Sequence, residues 1–431
     1  MNALKKFWNI LFSNFMWLYF IVGVGRLFGI YIPLLQLFMI ICFMYGVAKF
    51  FDLKKITAID IIMFIYVAYI IVNSIVIDYP HHNRFLIQAF IFQLCPLMCY
   101  FIARSNDLSV ETILKKMLIP ITIAMVLGVY FHIAQPGWYT AIKWNTIYER
   151  YGEYVSDYNV IEQMRLTSIW NSSYYIAYAT LFFSVYLLYA LSFNTLKSKK
   201  RYLFYILLIL CIVVLIYANH RATILGFIIA YVFCFFQGKN KKMRGKMLFG
   251  AGLIALIAIN IIFSSPEYLD YISKRYTSVT TEEGLQERLE HTGGEQELFT
   301  LFGHGYGRHS LRAREYGWWA IIDSEYQKQL GELGIIGFTM FVIILIFALR
   351  SAFVQRDLKG LELCIFLFYI ETFLGASALS VDSEYSFIFW YVLGKINQKN
   401  VYQPEGIPSI ATKNPLSLTP QFRYENFYNY N

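Results

Sequence analysis

Charged residues are few in this sequence: Asp, Glu, Lys and Arg make up 15% of its 431 residues, while 58% are hydrophobic. A soluble globular domain carries roughly a quarter charged residues, so that class is excluded. The six cysteines, Cys42, Cys95, Cys99, Cys211, Cys234 and Cys364, all fall inside apolar runs and lack metal-type spacing, so they read as small core residues rather than a disulfide or zinc framework. A cleavable signal peptide is not expected, because the first apolar run follows only Lys5 and Lys6, lacks a small-residue cleavage site and is itself long enough to span. No acidic cluster has metal-ligand spacing, so neither a divalent ion nor any other cofactor is expected.

What is present is a succession of apolar runs long enough to cross a bilayer, with spans expected near 8–25, 28–48, 57–77, 85–103, 117–134, 169–193, 203–219, 222–237, 247–263, 332–349, 361–379 and 386–396. The net charge of +9 is not gathered into one patch, so nucleic acid is not an expected partner. Basic residues occur in alternate connections instead: Lys49, Lys54 and Lys55; Arg104, Lys115 and Lys116; Lys197, Lys199, Lys200 and Arg201; Lys239, Lys241, Lys242, Arg244 and Lys246; Arg350, Arg356 and Lys359. By the positive-inside rule these connections face the cytoplasm and so do both termini. The expected fold class is an all-α polytopic membrane protein of about 12 transmembrane helices, with the lipid bilayer as its first partner.

Two outer segments, 135–168 and 264–331, are too long and polar to be turns. Trp138, Tyr139, Trp144, Tyr148, Tyr151, Tyr154 and Tyr158 crowd the first, and Tyr306, Tyr316, Trp318 and Trp319 the second. Rings at such positions form an interfacial belt or stack on sugars. Residues 1–400 read as one membrane domain, and 401–431, with four prolines and no apolar period, as a flexible cytoplasmic tail. Against the charge rule, Arg165, Arg221, Arg288, Arg308, Arg312 and Arg314 all fall on the outer side. Guanidinium groups grip phosphate through paired hydrogen bonds and stay charged, so the cluster points to an anionic lipid-linked substrate.

The stretch ERLEHTGGEQELFTLFGHGYG from Glu287 to Gly307, followed by DSEYQKQLGELGIIGF from Asp323 to Phe338, resembles the signature of the O-antigen ligase and Wzy-type polysaccharide polymerase superfamily. RLTSIWNSSYYIAYA from Arg165 to Ala179 is similar to that family's Arg-led entry into a helix, and NHRATILGFIIAY from Asn219 to Tyr231 to its Ser-Arg-Gly/Ala hairpin. The resemblance covers roughly residues 160 to 340. It departs from the pattern at Ser168, where Gly is usual, and at Asn219 and His220, where Ser is frequent. Ligases of the superfamily carry a His where this chain has Asp323, which favours a polymerase.

The resemblance implies a GT-C-like membrane glycosyltransferase acting on undecaprenyl-diphosphate-linked glycans at the outer face of a bacterial cytoplasmic membrane, without a metal and with a chain-length regulator protein as a further partner. Arg221, Arg165 and Arg288 are its expected diphosphate clamp and Asp323 its expected base; Glu325, Asp382 and Glu384 are other carboxylates on that side. Arg308, Arg312, Arg314, His304, Tyr326 and Glu325 are expected to bind substrate. Glu332 is expected to cap the following helix start, where a carboxylate meets the positive end of the dipole. The run Gly303, Gly305, Gly307 lacks the flanks of a nucleotide fingerprint and either brings backbone amides to phosphate or sugar, or turns the chain. A ligase with a different acceptor, a lipid-linked sugar flippase and a non-catalytic assembly protein are the alternatives. The spans hold few charges, Glu371 being the main exception, which disfavours the flippase.

Overall fold

Apolar runs in a bilayer must satisfy their own backbone, and helices do so within one segment. The computed structural model accordingly contains no strand among the residues it describes, which are 2–30, 33–53, 55–77, 86–87, 89–151, 165–193, 197–238, 299–309, 324–354, 360–376, 379 and 385–401. The expected span at 247–263 and the tail from 402 lie outside them.

The helices are α1 (Asn2–Ser13), α2 (Phe15–Leu27), α3 (Leu34–Phe51), α4 (Ala58–Val76), α5 (Cys99–Ser105), α6 (Val110–Lys116), α7 (Leu118–Ala134), α8 (Gly137–Tyr151), α9 (Ser173–Phe193), α10 (Ser198–Ala218), α11 (Arg221–Gln237), α12 (Glu325–Val354), α13 (Leu361–Gly375) and α14 (Ser386–Val401). A π-helical segment, Phe90–Leu94, and a short turn, Cys95–Leu97, lead into α5, the break falling where Pro96 cannot donate a backbone hydrogen bond. Five described helices are long and apolar enough to cross a bilayer, or seven if the bent pairs α1–α2 (52°) and α6–α7 (43°) each count as one span. The protein is thus membrane-embedded. Within the long polar segment 135–168, residues 137–151 form α8.

Burial divides the helices into two kinds. On α9, 89% of the span is covered by protein, whereas α3 and α4 are covered over 33%. A helix apolar all round belongs inside a bundle. Accordingly α9 packs against α7, α10, α11 and α13, with small polar residues Thr180 and Ser184 fully buried on it. Around Phe387 the rings of Phe12, Phe15 and Phe38 meet edge to face at 4.6–5.5 Å.

The bundle has two chemically distinct ends. One gathers Lys5 with Asp107, Lys116 with Ser13, and Arg104 with Asp60. At the other, Tyr385 at the start of α14 donates to Tyr175 at the start of α9, and Ser324 before α12 donates to Phe373 near the end of α13. Arg165 precedes α9 there, and Arg221 opens α11.

Candidate functional site

At the second end, α10 stops because Asn219 adopts a left-handed conformation (φ 47°), which asparagine tolerates better than most residues. His220 is extended, its carbonyl accepts from Thr223 Oγ1 at 2.9 Å, and Arg221 is the first residue of α11. A turn this short fixes the arginine at the helix mouth. The rings of Tyr174 and Tyr178 on α9 hold His220 at 5.2 and 5.4 Å between centroids.

Arg165 arrives at the same place by a different route. The amide of Leu166 donates to Tyr217 O at 3.0 Å, which pins the segment before α9 to the last turn of α10. Ser168 carries φ 58°, a conformation that explains why glycine is usual at this position in the resembling family. It is held there by a bond from its hydroxyl to Ala124 O (2.5 Å) and by Tyr139, whose hydroxyl donates to Ser168 O at 2.8 Å. Burial pushes the Tyr139 phenol up to about 12, so it stays a neutral donor. Lys143 on α8, nearly buried, donates to Arg165 O at 2.9 Å. Between α7, α8 and this segment lies a cavity of about 120 Å³. Lys143 and Arg165 supply its cations, and Tyr139 and Trp144 its flat walls.

The third part of this end is the glycine run, and it meets α12 at a break. Gly334 inside α12 has φ 66° and ψ −171°, which interrupts the helical ladder. The groups set free are taken by the loop: His304 and Gly305 donate to Gly331 O (2.9 Å) and Glu332 O (3.2 Å), while Ile335 and Ile336 donate to Thr300 O (3.0 Å) and Leu301 O (3.3 Å). The two strips lie so close that a Cβ on Gly303 would stand 2.3 Å from Glu332 O, and one on Gly334 2.3 Å from Gly303 N. Only glycine fits at either position. Further amides of the run are also engaged: Gly303 donates to Thr300 Oγ1, Tyr306 to Asn73 Oδ1, Arg308 to Gly305 O, and His309 to the Glu332 carboxylate. Of the two readings of the glycines, turning the chain is the one this geometry supports, since these donors already have partners.

Of the expected site residues, Arg165 and Arg221 flank the last turn of α10. Arg308 and His304 sit in the glycine turn beside α4 and α12, where His304 Nδ1 lies 3.1 Å from Gly331 O. Glu325 is fully buried and accepts from Gln329 Nε2 (2.7 Å) and from Leu379 N (2.9 Å). Tyr326 donates to Ile370 O at 3.3 Å and packs its ring on Phe338, Phe341 and Phe373. Both hold α12 to its neighbours. Asp323, Arg288, Arg312, Arg314, Asp382 and Glu384 lie outside the described residues.

Glu332 stands just before the helix resumes at Ile335, but the Ile335 and Ile336 amides freed there are taken by Thr300 O and Leu301 O and not by its side chain. Instead its side chain reaches out of the break to the His309 amide at 3.2 Å, with Lys328 Nζ 3.9 Å from its Oε1. Sequence reasoning also passed over Lys143 and Lys328. Lys143 had a signal, lying among the aromatics of segment 135–168, whereas Lys328 falls at the polar end of segment 264–331, where a lysine reads as an exposed loop residue.

No curated protein matches the chain. The family described as O-antigen ligase does, over residues 206–342. That stretch, which is similar to the O-antigen ligase family, runs from α10 through Arg221, the glycine turn and the broken part of α12.

Proposed function

We propose that this protein is a Wzy-type polysaccharide polymerase. It moves a glycan from one undecaprenyl-diphosphate carrier to a sugar hydroxyl of a second lipid-linked repeat, at the outer face of a bacterial cytoplasmic membrane. The family match supports a role in processing lipid-linked glycans. The observation that carries the finer reading is that Arg165 and Arg221 flank the last turn of α10, with a cationic, ring-lined cavity beside Arg165. In this reaction the acceptor oxygen bonds to the anomeric carbon, the bond from that carbon to the diphosphate breaks, and the acceptor's proton passes to a carboxylate. The donor is already activated, so the protein's work is positioning and charge balance. Fixed guanidinium groups at the edge of an apolar bundle meet the charge that develops on the leaving diphosphate without needing to reorganise. Arg165, Arg221 and Arg288 supply that charge, and Arg312 and Arg314 are candidates for binding substrate. Asp323 is the proposed proton acceptor, and Arg308 and His304 contact the substrate from the glycine turn.

The test uses purified protein in detergent with synthetic lipid-linked repeats and no nucleotide. A ladder of lengthened glycans is expected. Transfer only to an added acceptor of different structure would make the protein a ligase. No transfer of either kind from competent substrate would exclude both.

A further inference from the structure

Within α12, two charges are sealed from solvent: Lys328 is 1% exposed and Glu332 is not exposed at all. They stand 3.9 Å apart, too far for a hydrogen bond, and among the described residues neither Lys328 Nζ nor Glu332 Oε2 has a hydrogen-bond partner. Buried charges held this loosely are costly, and each such group calls for an explanation. The geometry here supplies one. Glu332 takes part in the glycine turn twice: its backbone carbonyl accepts from Gly305 and its side chain accepts from His309, the two residues that bracket Tyr306, Gly307 and Arg308. Asn73 of α4 fixes the middle of the same turn, accepting from Tyr306 N at 3.1 Å and donating to Phe302 O at 2.7 Å.

We infer that Glu332 is a positioning residue which sets where the Gly303–His309 turn presents Arg308 and His304, and that Lys328 is its counter-ion. This rests on the proposed glycan transfer at that end of the bundle. A carboxylate clamped from inside a discontinuous helix can hold a loop more firmly than the loop's own backbone could, because the helix on either side is packed. Removing the carboxylate frees the His309 amide and leaves a lone ammonium in the interior. Removing both charges while keeping an acceptor oxygen leaves the clamp in place.

Hydrogen exchange and glycan elongation, measured on the same preparations of full-length protein, test this. In Glu332→Ala, peptides covering 303–309 should exchange about ten-fold faster or more, with α9 peptides unchanged. Elongation turnover should fall about ten-fold or more, while the apparent KM for lipid-linked repeats moves less than about three-fold. The double variant Glu332→Gln with Lys328→Met should keep both exchange and turnover within about three-fold of the parent. Unchanged exchange at 303–309 in Glu332→Ala would overturn the positioning role, and a double variant as impaired as Glu332→Ala would overturn the counter-ion role. Should the parent protein fail to elongate, the polymerase reading falls, whereas the exchange data still decide whether Glu332 holds the turn.

Discussion

The two ends of the bundle each bury an ion pair, and they treat it differently. At one end Arg104 donates to Asp60 through Nε at 2.8 Å and Nη2 at 2.7 Å, and Tyr100, Asn397, Thr57 N and Thr57 Oγ1 also donate to the carboxylate. That network ties α4, α5 and α14 together. At the other end Lys328 and Glu332 share a long contact, and among the described residues Lys328 Nζ and Glu332 Oε2 find no hydrogen-bond partner. A saturated network makes one arrangement strongly preferred, whereas an unsaturated one leaves its members free to serve something nearby. On the proposed function the difference separates a structural staple from a pair that positions a loop, although both pairs are hidden from solvent.

The sharpest way to break that contrast is to damage the staple. Asp60→Ala or Arg104→Met alone leaves a bare charge inside the protein and should cost about 3–5 kcal/mol of stability. The paired change Asp60→Leu with Arg104→Met should recover most of it. Thermal melting in detergent reads the loss, and elongation per folded molecule should stay at the parent level. A matching fall in elongation would mean that the Asp60 end also takes part in catalysis.

At the Arg221 end the opposite outcome is expected. Arg221→Ala should lower elongation by about 10²–10³, the size seen when a preorganised donor to developing negative charge is removed. Its melting temperature should hold, since the side chain is only half-buried. Arg221→Lys should fall in between, because an ammonium offers charge without the planar fork. Near-normal chain length in Arg221→Ala would remove the clamp.

Glu325 tests whether burial at the working end always signals chemistry. Both of its oxygens are engaged, by Gln329 and by the Leu379 amide, so Glu325→Gln should cost about 1–2 kcal/mol of stability. Elongation should remain within about three-fold of the parent, in keeping with an anchoring role. A hundred-fold loss of elongation would instead make Glu325 the base in place of Asp323.

How much of this was legible beforehand follows from what each residue's signal depends on. Apolar runs announce helices because they depend on local sequence, and the arginines at 165 and 221 stood out because they broke the expected charge pattern. The break in α12 was not legible, since Ile335 and Ile336 continue the apolar character across Gly334 and only the distant strip 300–305 makes an interruption tolerable. The helix also starts seven residues before the expected span. Gln327, Lys328 and Gln329 look like loop residues, yet Lys328 and Gln329 are buried. Their burial depends on partners far away in sequence, such as Tyr66, whose hydroxyl donates to Gln329 Oε1 at 2.7 Å.

The smallest effect belongs to a pair that is not buried. Lys5 and Asp107 meet at 2.6 Å, but the Asp107 side chain is 81% exposed, so water screens the contact and it is worth about 0.2–1 kcal/mol at most. The hydrogen bond from Lys5 holds the Asp107 carboxyl below its usual range. A folded-state value below the unfolded one means that the stabilisation is present above the ordinary aspartate value, near pH ~4, and disappears as the pH falls through the lower folded value. Asp107→Asn should therefore lower the melting temperature slightly at pH ~7 and in low salt, and the gap from the parent should close as the pH drops below ~4. High salt at neutral pH should close it too, because the Debye length falls to about 3 Å at 1 M. A gap that persists in acid and in salt would show that Asp107 acts through packing, and exposed and buried pairs would then differ less than the contrast between the two ends requires.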